Sequence, residues 1–157
     1  AAVFGATGGI GAALVKTLAQ RGWRVCALSR SGELAQGASR ALVCDVTDEA
    51  SIMAAAVELA ADPPELTVVA TGALTLSSGK GPERSYRQID PDAMAEALRI
   101  NTIGPALVAK HVLPLLPRDR RSVFAALGAR VGSIGDNRLG GWHSYRASKA
   151  ALAMLLR

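Results

Sequence analysis

Hydrophobic positions along the chain fall into two alternating kinds of run. Ala1–Phe4, Trp23–Arg30, Arg40–Cys44, Leu66–Ala70 and Arg121–Leu127 are short and rich in Val, Leu, Ala, Phe or Cys, as buried strands are. Between them lie stretches whose apolar residues recur at helical spacing. Ala12–Arg21 is one, closed by Gly22. Asp48–Ala61 is the next, with Ile52 and Val57 set inward and Pro63-Pro64 closing it. A third opens at Asp90-Pro91, residues suited to an N-cap and a first helical position, and ends at Leu113–Pro117; a fourth carries Tyr145 and Lys149. Strands alternating with helices in this way predict an α/β fold with a parallel sheet and right-handed crossovers.

In such sheets ligands bind at the carboxyl ends of the strands, so the residues there decide the chemistry. Gly5-Ala6-Thr7-Gly8-Gly9-Ile10-Gly11 follows the first strand and opens the first helix. Its glycines permit positive φ and close approach, and the N–H groups of a helix start receive a pyrophosphate. Gly5, Thr7, Gly8, Gly9, Ile10 and Gly11 are therefore candidate dinucleotide-binding residues. The expected fold becomes a three-layer, Rossmann-like doubly wound sheet with strand order 3-2-1-4-5.

The second strand ends in Ser29-Arg30, where an acidic residue would select NAD. Arg30 suits a 2′-phosphate instead, which favours NADP and leaves NAD second; a solvated arginine beside Glu33 is the alternative. Asp45-Val46 ends the third strand. There Asp45 can accept from an adenine amino group while Val46 packs on the ring, or Asp45 can cap the next helix. Thr71-Gly72 leaves the fourth strand, and Gly72 removes a side chain where a cofactor would pass. Thr75–Ile89, with Gly79, Gly81 and Pro82, reads as a polar surface loop bordering a substrate entrance.

The third helix contains a defect. Pro105 has no N–H, so the carbonyl four positions earlier, that of Asn101, loses its helical donor. A freed carbonyl beside an amide side chain is suited to hold a water, and such irregularities gather at functional sites. A kinked packing helix with Asn101 bonded to a neighbouring loop is the alternative.

Composition narrows the function classes. The 157 residues are 50% hydrophobic and carry a net charge of +5, enough apolar material for one core. The basic residues are scattered, with only Arg118, Arg120 and Arg121 clustered, so no nucleic-acid partner is expected. No apolar run reaches the roughly 18 residues of a membrane span and no signal segment is visible, which makes the cytoplasm the expected location. Cys26 and Cys44 sit in strand-like stretches as reduced thiols, His143 suits a structural or rim role, and no metal-ligand spacing exists. Ala1 stands within a strand and Arg157 within a helix, so residues 1–157 read as a single NAD(P)-binding domain truncated at both ends.

On a helix, Tyr145 and Lys149 stand one turn apart on one face, and a cation near a phenol favours its ionised form. With Gly5-x3-Gly9-x-Gly11, Asp45-Val46, Asn101 and Tyr145-x3-Lys149 in this order, the chain resembles the short-chain dehydrogenase/reductase family over essentially its whole length. The Ala70-Thr71-Gly72-Ala73 and Arg130-Val131-Gly132-Ser133-Ile134 segments, with Gly140-Gly141-Trp142, are similar to the C-factor-like and sniffer-type carbonyl reductases, although many family members have Asn-Asn-Ala-Gly after strand four. The resemblance implies that C-terminal strands are missing, and it implies Tyr145 as proton donor or acceptor, Lys149 on the nicotinamide ribose, Asn101 holding a relay water, and a serine orienting the carbonyl. That serine is Ser133 by its distance from Tyr145, while a second alignment lands on Ala129. The implied activity is NADP-dependent hydride transfer between the nicotinamide and a small-molecule carbonyl or secondary alcohol, with a homo-oligomer formed through the Asn101 and Tyr145 helices. The alternative is a dinucleotide-binding regulatory or signalling protein with little turnover.

Overall fold

The computed structural model describes residues 1–76, 79 and 81–157, so Ser77, Ser78 and Lys80 of the expected surface loop lie outside the described residues. Its strands are β1 (Ala2–Phe4), β2 (Cys26–Ser29), β3 (Arg40–Val43), β4 (Leu66–Val69) and β5 (Val123–Ala126). Its longer helices are α1 (Gly9–Gln20), α2 (Glu49–Ala60), α3 (Pro91–Leu98), α4 (Gly104–Val112) and α5 (His143–Leu155). The sheet is parallel throughout in the order β3-β2-β1-β4-β5, the expected Rossmann-like order. Val3 aligns with Ala27 and with Val68, and Val69 with Ala126.

The chain forms two compact units, Ala1–Thr71 with Leu107–Leu127, and Gly72–Ala106 with Gly128–Arg157. The first contains the sheet. Successive strand residues point to opposite faces, and the core divides accordingly. Ala2, Phe4, Leu28 and Val69 pack with Ile52, Ala55 and Leu59 of α2 and with Val108 and Val112 of α4. Val3 and Ala27 pack with Val15 and Leu18 of α1. Helices on both faces make the three layers.

Some boundaries differ from the pattern-based expectation for identifiable reasons. Helix α1 begins at Gly9 rather than Ala12, because the turn is already closed at Gly8, whose N–H donates to the Gly5 carbonyl at 3.1 Å. Gly11 then lies inside the first helical turn against that same carbonyl: a Cβ on Gly11 would come 2.0 Å from the Gly5 oxygen. Gly5 itself has φ +78°, the left-handed region that glycine enters at little cost. Val57, expected inward, is 73% exposed. The inward face of α2 is Ile52, Ala55, Ala56 and Leu59, and five positions beyond Ile52 is well round the helix from it.

In the second unit the expected defect appears as a π-helical segment, Arg99–Ile103, between α3 and α4, with the Gly104 N–H donating to the Arg99 carbonyl five residues back. Pro105, unable to donate, sets this irregularity. Helix α3 starts as expected, with Asp90 accepting from the Ala93 N–H and Pro91 in the first turn. Among the described residues no helix is long and apolar enough to cross a membrane.

Candidate functional site

The candidate residues fall into two groups, one in each unit. In the first unit, Thr7 to Ile10 are exposed at the start of α1. No side chain caps this helix and its first turn has no acidic residue, so its N–H groups face outward with the positive end of the helix dipole behind them. The Thr71 hydroxyl, at the end of β4, is buried without a hydrogen-bond partner, and a Cβ on Gly5 would meet its methyl group at 3.0 Å.

The other candidate cofactor residues of this unit are placed as follows. Arg30 is exposed just beyond β2, and the Ser29 hydroxyl is engaged by the Gly32 N–H at 3.1 Å. Asp45 does not cap α2; that is done by Asp48, which accepts from Ala50. Instead Asp45 Oδ1 accepts from the N–H and hydroxyl of Thr47 at 2.9 and 2.8 Å. The Thr47 N–H bond holds its carboxyl below the usual range, opposed by burial, with Arg30 helping from further away. Val46 is 7% exposed and belongs to the core. Both cysteines are free thiols; burial pushes Cys44 up to about 11, so it is inert at neutral pH.

In the second unit, Asn101 is fully buried in the π segment. Its Oδ1 accepts from the Ala73 N–H at 2.8 Å, and its Nδ2 donates to the Ala73 carbonyl at 2.9 Å and to the Ser148 hydroxyl at 3.1 Å. Thr102 donates to the Ser148 carbonyl at 2.7 Å. The π segment is thereby bolted to α5. Gly72 lies between the key groups: a Cβ there would come 3.3 Å from both Asn101 Oδ1 and Lys149 Nζ. Lys149 is 3% exposed, and burial lowers its pKa. Its Nζ stands 6.0 Å from the centroid of the Tyr145 ring, whose edge meets Trp142 with centroids 6.3 Å apart. Tyr145 borders a cleft of about 20 Å³ with Leu74, Leu76 and Pro82. A larger concavity of about 710 Å³ holds none of these residues; it lies at the amino ends of the strands, between Ala1, Arg24, Arg40 and Glu65.

Asn101, Tyr145 and Lys149 are thus brought together, with Gly72. Ser133 is not joined to them by a hydrogen bond. It is exposed, and its hydroxyl accepts the Asp136 N–H at 3.3 Å in a turn of its own. Position 129, the other alignment, is Ala and brings no hydroxyl. His143 stacks on Tyr86 at 4.2 Å, a rim position, and His111 pairs with Glu49. Sequence reasoning gave no role to Ser148, Ser144 or Glu83. Ser148 could have been found as the small polar residue preceding Lys149 in the helix; Glu83 lies 61 residues from Ser144, its partner, and carries no local signal.

Comparison with known proteins places these residues in context. One family model, described as short chain dehydrogenase, matches residues 1–157. A 1-hydroxy-2-glutathionyl-2-methyl-3-butene dehydrogenase of a Rhodococcus species is 32% identical, over 98% of this chain and 66% of that protein. The C-signal protein of Myxococcus xanthus is 39% identical over 69 residues, 44% of this chain and 42% of that protein. A crystal structure of a short-chain dehydrogenase/reductase from Burkholderia multivorans with bound NADP superposes with a TM-score of 0.86 at 25% identity, over 99% of this chain and 70% of that one. The chain spans about two thirds of the length of the full-coverage curated relatives it matches.

Proposed function

The chain belongs to the short chain dehydrogenase family, and from that premise we propose that it is an NADP-dependent oxidoreductase interconverting a carbonyl and a secondary alcohol, with Tyr145 as acid and base. The observation that carries this reading is the buried Lys149 one turn after Tyr145, packed with Asn101 about a residue that has no side chain, Gly72. A lysine buried to this degree costs stability, and perturbed groups of this kind gather at functional sites.

When bound, the nicotinamide supplies or takes the hydride. The first unit fits the rest of that cofactor: the uncapped first turn of α1 suits its phosphates, Gly5 and Gly11 leave the backbone bare, and the buried Thr71 hydroxyl lacks a partner. Thr7, Gly8, Gly9 and Ile10 would line the phosphates, Arg30 would take the 2′-phosphate, and Asp45, with Val46 behind it, the adenine. NAD is the second candidate.

The second unit's task is proton transfer. Tyr145 donates a proton to the substrate oxygen during reduction and takes it back during oxidation. Lys149 places positive charge near the ring, and its ammonium would bind the nicotinamide ribose. Asn101 spends its side chain on Ala73 and Ser148, so its service to a relay water would come through the main chain of the π segment. Ser133, whose hydroxyl accepts the Asp136 N–H and keeps its own proton to donate, would orient the substrate carbonyl. The substrate is a small-molecule carbonyl or alcohol, the working form a homo-oligomer, and the location the cytoplasm. A second reading, a dinucleotide-binding signalling protein with little turnover, is favoured by the exposed position of Ser133 and by the likeness to the C-signal protein.

Following NADPH consumption by the full-length protein across a panel of carbonyl compounds separates the two readings. The oxidoreductase reading expects turnover that falls about 10²- to 10⁴-fold in Tyr145→Phe. Cofactor binding without turnover, or turnover indifferent to that substitution, contradicts it.

A further inference from the structure

Glu83 belongs to a segment whose composition reads as polar surface, yet it is 8% exposed and is the only carboxylate among the buried described residues. What covers it is the start of α5. One carboxylate oxygen accepts the Ser144 N–H at 3.2 Å and the other accepts the Ser144 hydroxyl, while the Glu83 main-chain carbonyl accepts the Trp142 N–H. A Cβ on Gly141 would lie 3.2 Å from that same carbonyl oxygen.

Helix α5 needs an anchor of this kind. Its N-cap is Trp142, held at φ 54° in the left-handed region, and no side-chain cap or acidic residue stands in its own first turn. A bulky residue keeps that conformation only where its surroundings over-determine it. Glu83 supplies from another part of the chain what a cap residue would supply locally: acceptors for first-turn donors and a negative charge at the positive end of the helix. Burial pushes the Glu83 carboxyl up, but the bonds from Ser144, together with the Glu83 main-chain N–H and the nearby His143, outweigh it and hold the group below the usual glutamate range. The next residue after Ser144 is Tyr145.

Resting on the oxidoreductase reading above, we propose that Glu83 is a positioning residue: through Ser144 and Trp142 it fixes the first turn of α5, and with it the direction in which Tyr145 presents its phenol. Glutamine in its place keeps the shape and both contacts, accepting from the Ser144 N–H and donating to its hydroxyl, whereas alanine removes them.

The test compares Glu83→Ala, Glu83→Gln and Ser144→Ala in the full-length protein by kcat, by NADPH Kd and by amide hydrogen exchange at residues 144 to 147. The proposal expects Glu83→Ala to lose about tenfold or more in kcat, since small misplacements of a reacting group are this costly. Its NADPH Kd stays within about twofold and exchange in the first turn of α5 speeds up. Glu83→Gln restores most of kcat, and Ser144→Ala falls between. Unchanged kcat in Glu83→Ala, or a loss of kcat matched by an equal loss of NADPH binding, overturns the positioning role. Where Glu83→Ala does not fold, unchanged kcat in Ser144→Ala overturns it. If the wild-type protein turns over no carbonyl, the oxidoreductase reading fails; the placement of Tyr145 is then judged by exchange alone, upheld by faster exchange confined to residues 144 to 147 and overturned by unchanged exchange.

Discussion

The two units bury different things. The first keeps its sheet in place with two clusters composed wholly of apolar side chains. Of the eight buried polar or charged residues among those described, only Ser29 and Thr67 belong to it; Glu83, Asn101, Thr102, Ser144, Ser148 and Lys149 belong to the second. Apolar burial stabilises without regard to direction, while a buried polar group is tolerated only when its partners are correctly placed. The first unit is therefore a scaffold held by packing. The second is held by a directional network, whose members converge on the helix that carries Tyr145 and Lys149.

This contrast can be broken by substitution. The largest effect is expected in the first unit, where Gly11→Ala would force a methyl group to within 2.0 Å of the Gly5 carbonyl oxygen. Backbone cannot yield as a side chain does, so the loss should reach or exceed the top of the roughly 1–3 kcal/mol range for overpacking, read as a lower denaturant midpoint. Asn101→Leu in the second unit comes next. It keeps the volume but leaves the half-buried Ala73 N–H and carbonyl without the partners that Asn101 supplies, for a loss of about 1–3 kcal/mol. The smallest effect belongs to Thr67→Val in the first unit. The Thr67 hydroxyl is buried with no partner, so exchanging it for a methyl should leave stability unchanged or raise it by up to about 1 kcal/mol. If Thr67→Val costs as much as Asn101→Leu, the distinction between the units is wrong.

The scaffold was the legible part. Parallel strands buried on both faces announce themselves as short apolar runs, and the expected sheet order was found. The π segment was also legible, because Pro105 acts through its own covalent structure on the residues just before it. The directional network was less so. Pro105 points to Asn101 and helical spacing sets Lys149 beside Tyr145, but the bonds that hold Asn101 reach Ala73 and Ser148, 28 and 47 residues away. Glu83 looked like loop polarity because nothing local distinguishes an acid in water from one 8% exposed against a helix start. Val57 shows the limit at the opposite extreme: its hydrophobicity says "inside", while the phase of α2, set by Ile52, Ala55 and Leu59, turns it outward. Ser133 is singled out by its distance along the chain from Tyr145, a signal that says nothing of its exposure or of the turn in which it accepts the Asp136 N–H.

Lys149 gives the most direct test of the claim that the second unit sacrifices stability to hold reactive groups. Burial lowers its pKa from the ordinary lysine value of 10.5. A lysine with a depressed folded-state pKa opposes folding while it is protonated. The penalty is present in full below that depressed value and fades as pH rises toward 10.5, where the unfolded chain also loses its proton. The measurement is thermal unfolding of the full-length protein and of Lys149→Met across this pH range, with turnover of both followed alongside. At neutral pH the variant is expected to melt higher than the parent protein, the gap to close as pH climbs, and the variant to turn over no substrate. A variant that melts lower at neutral pH, or one that keeps full turnover, contradicts the claim.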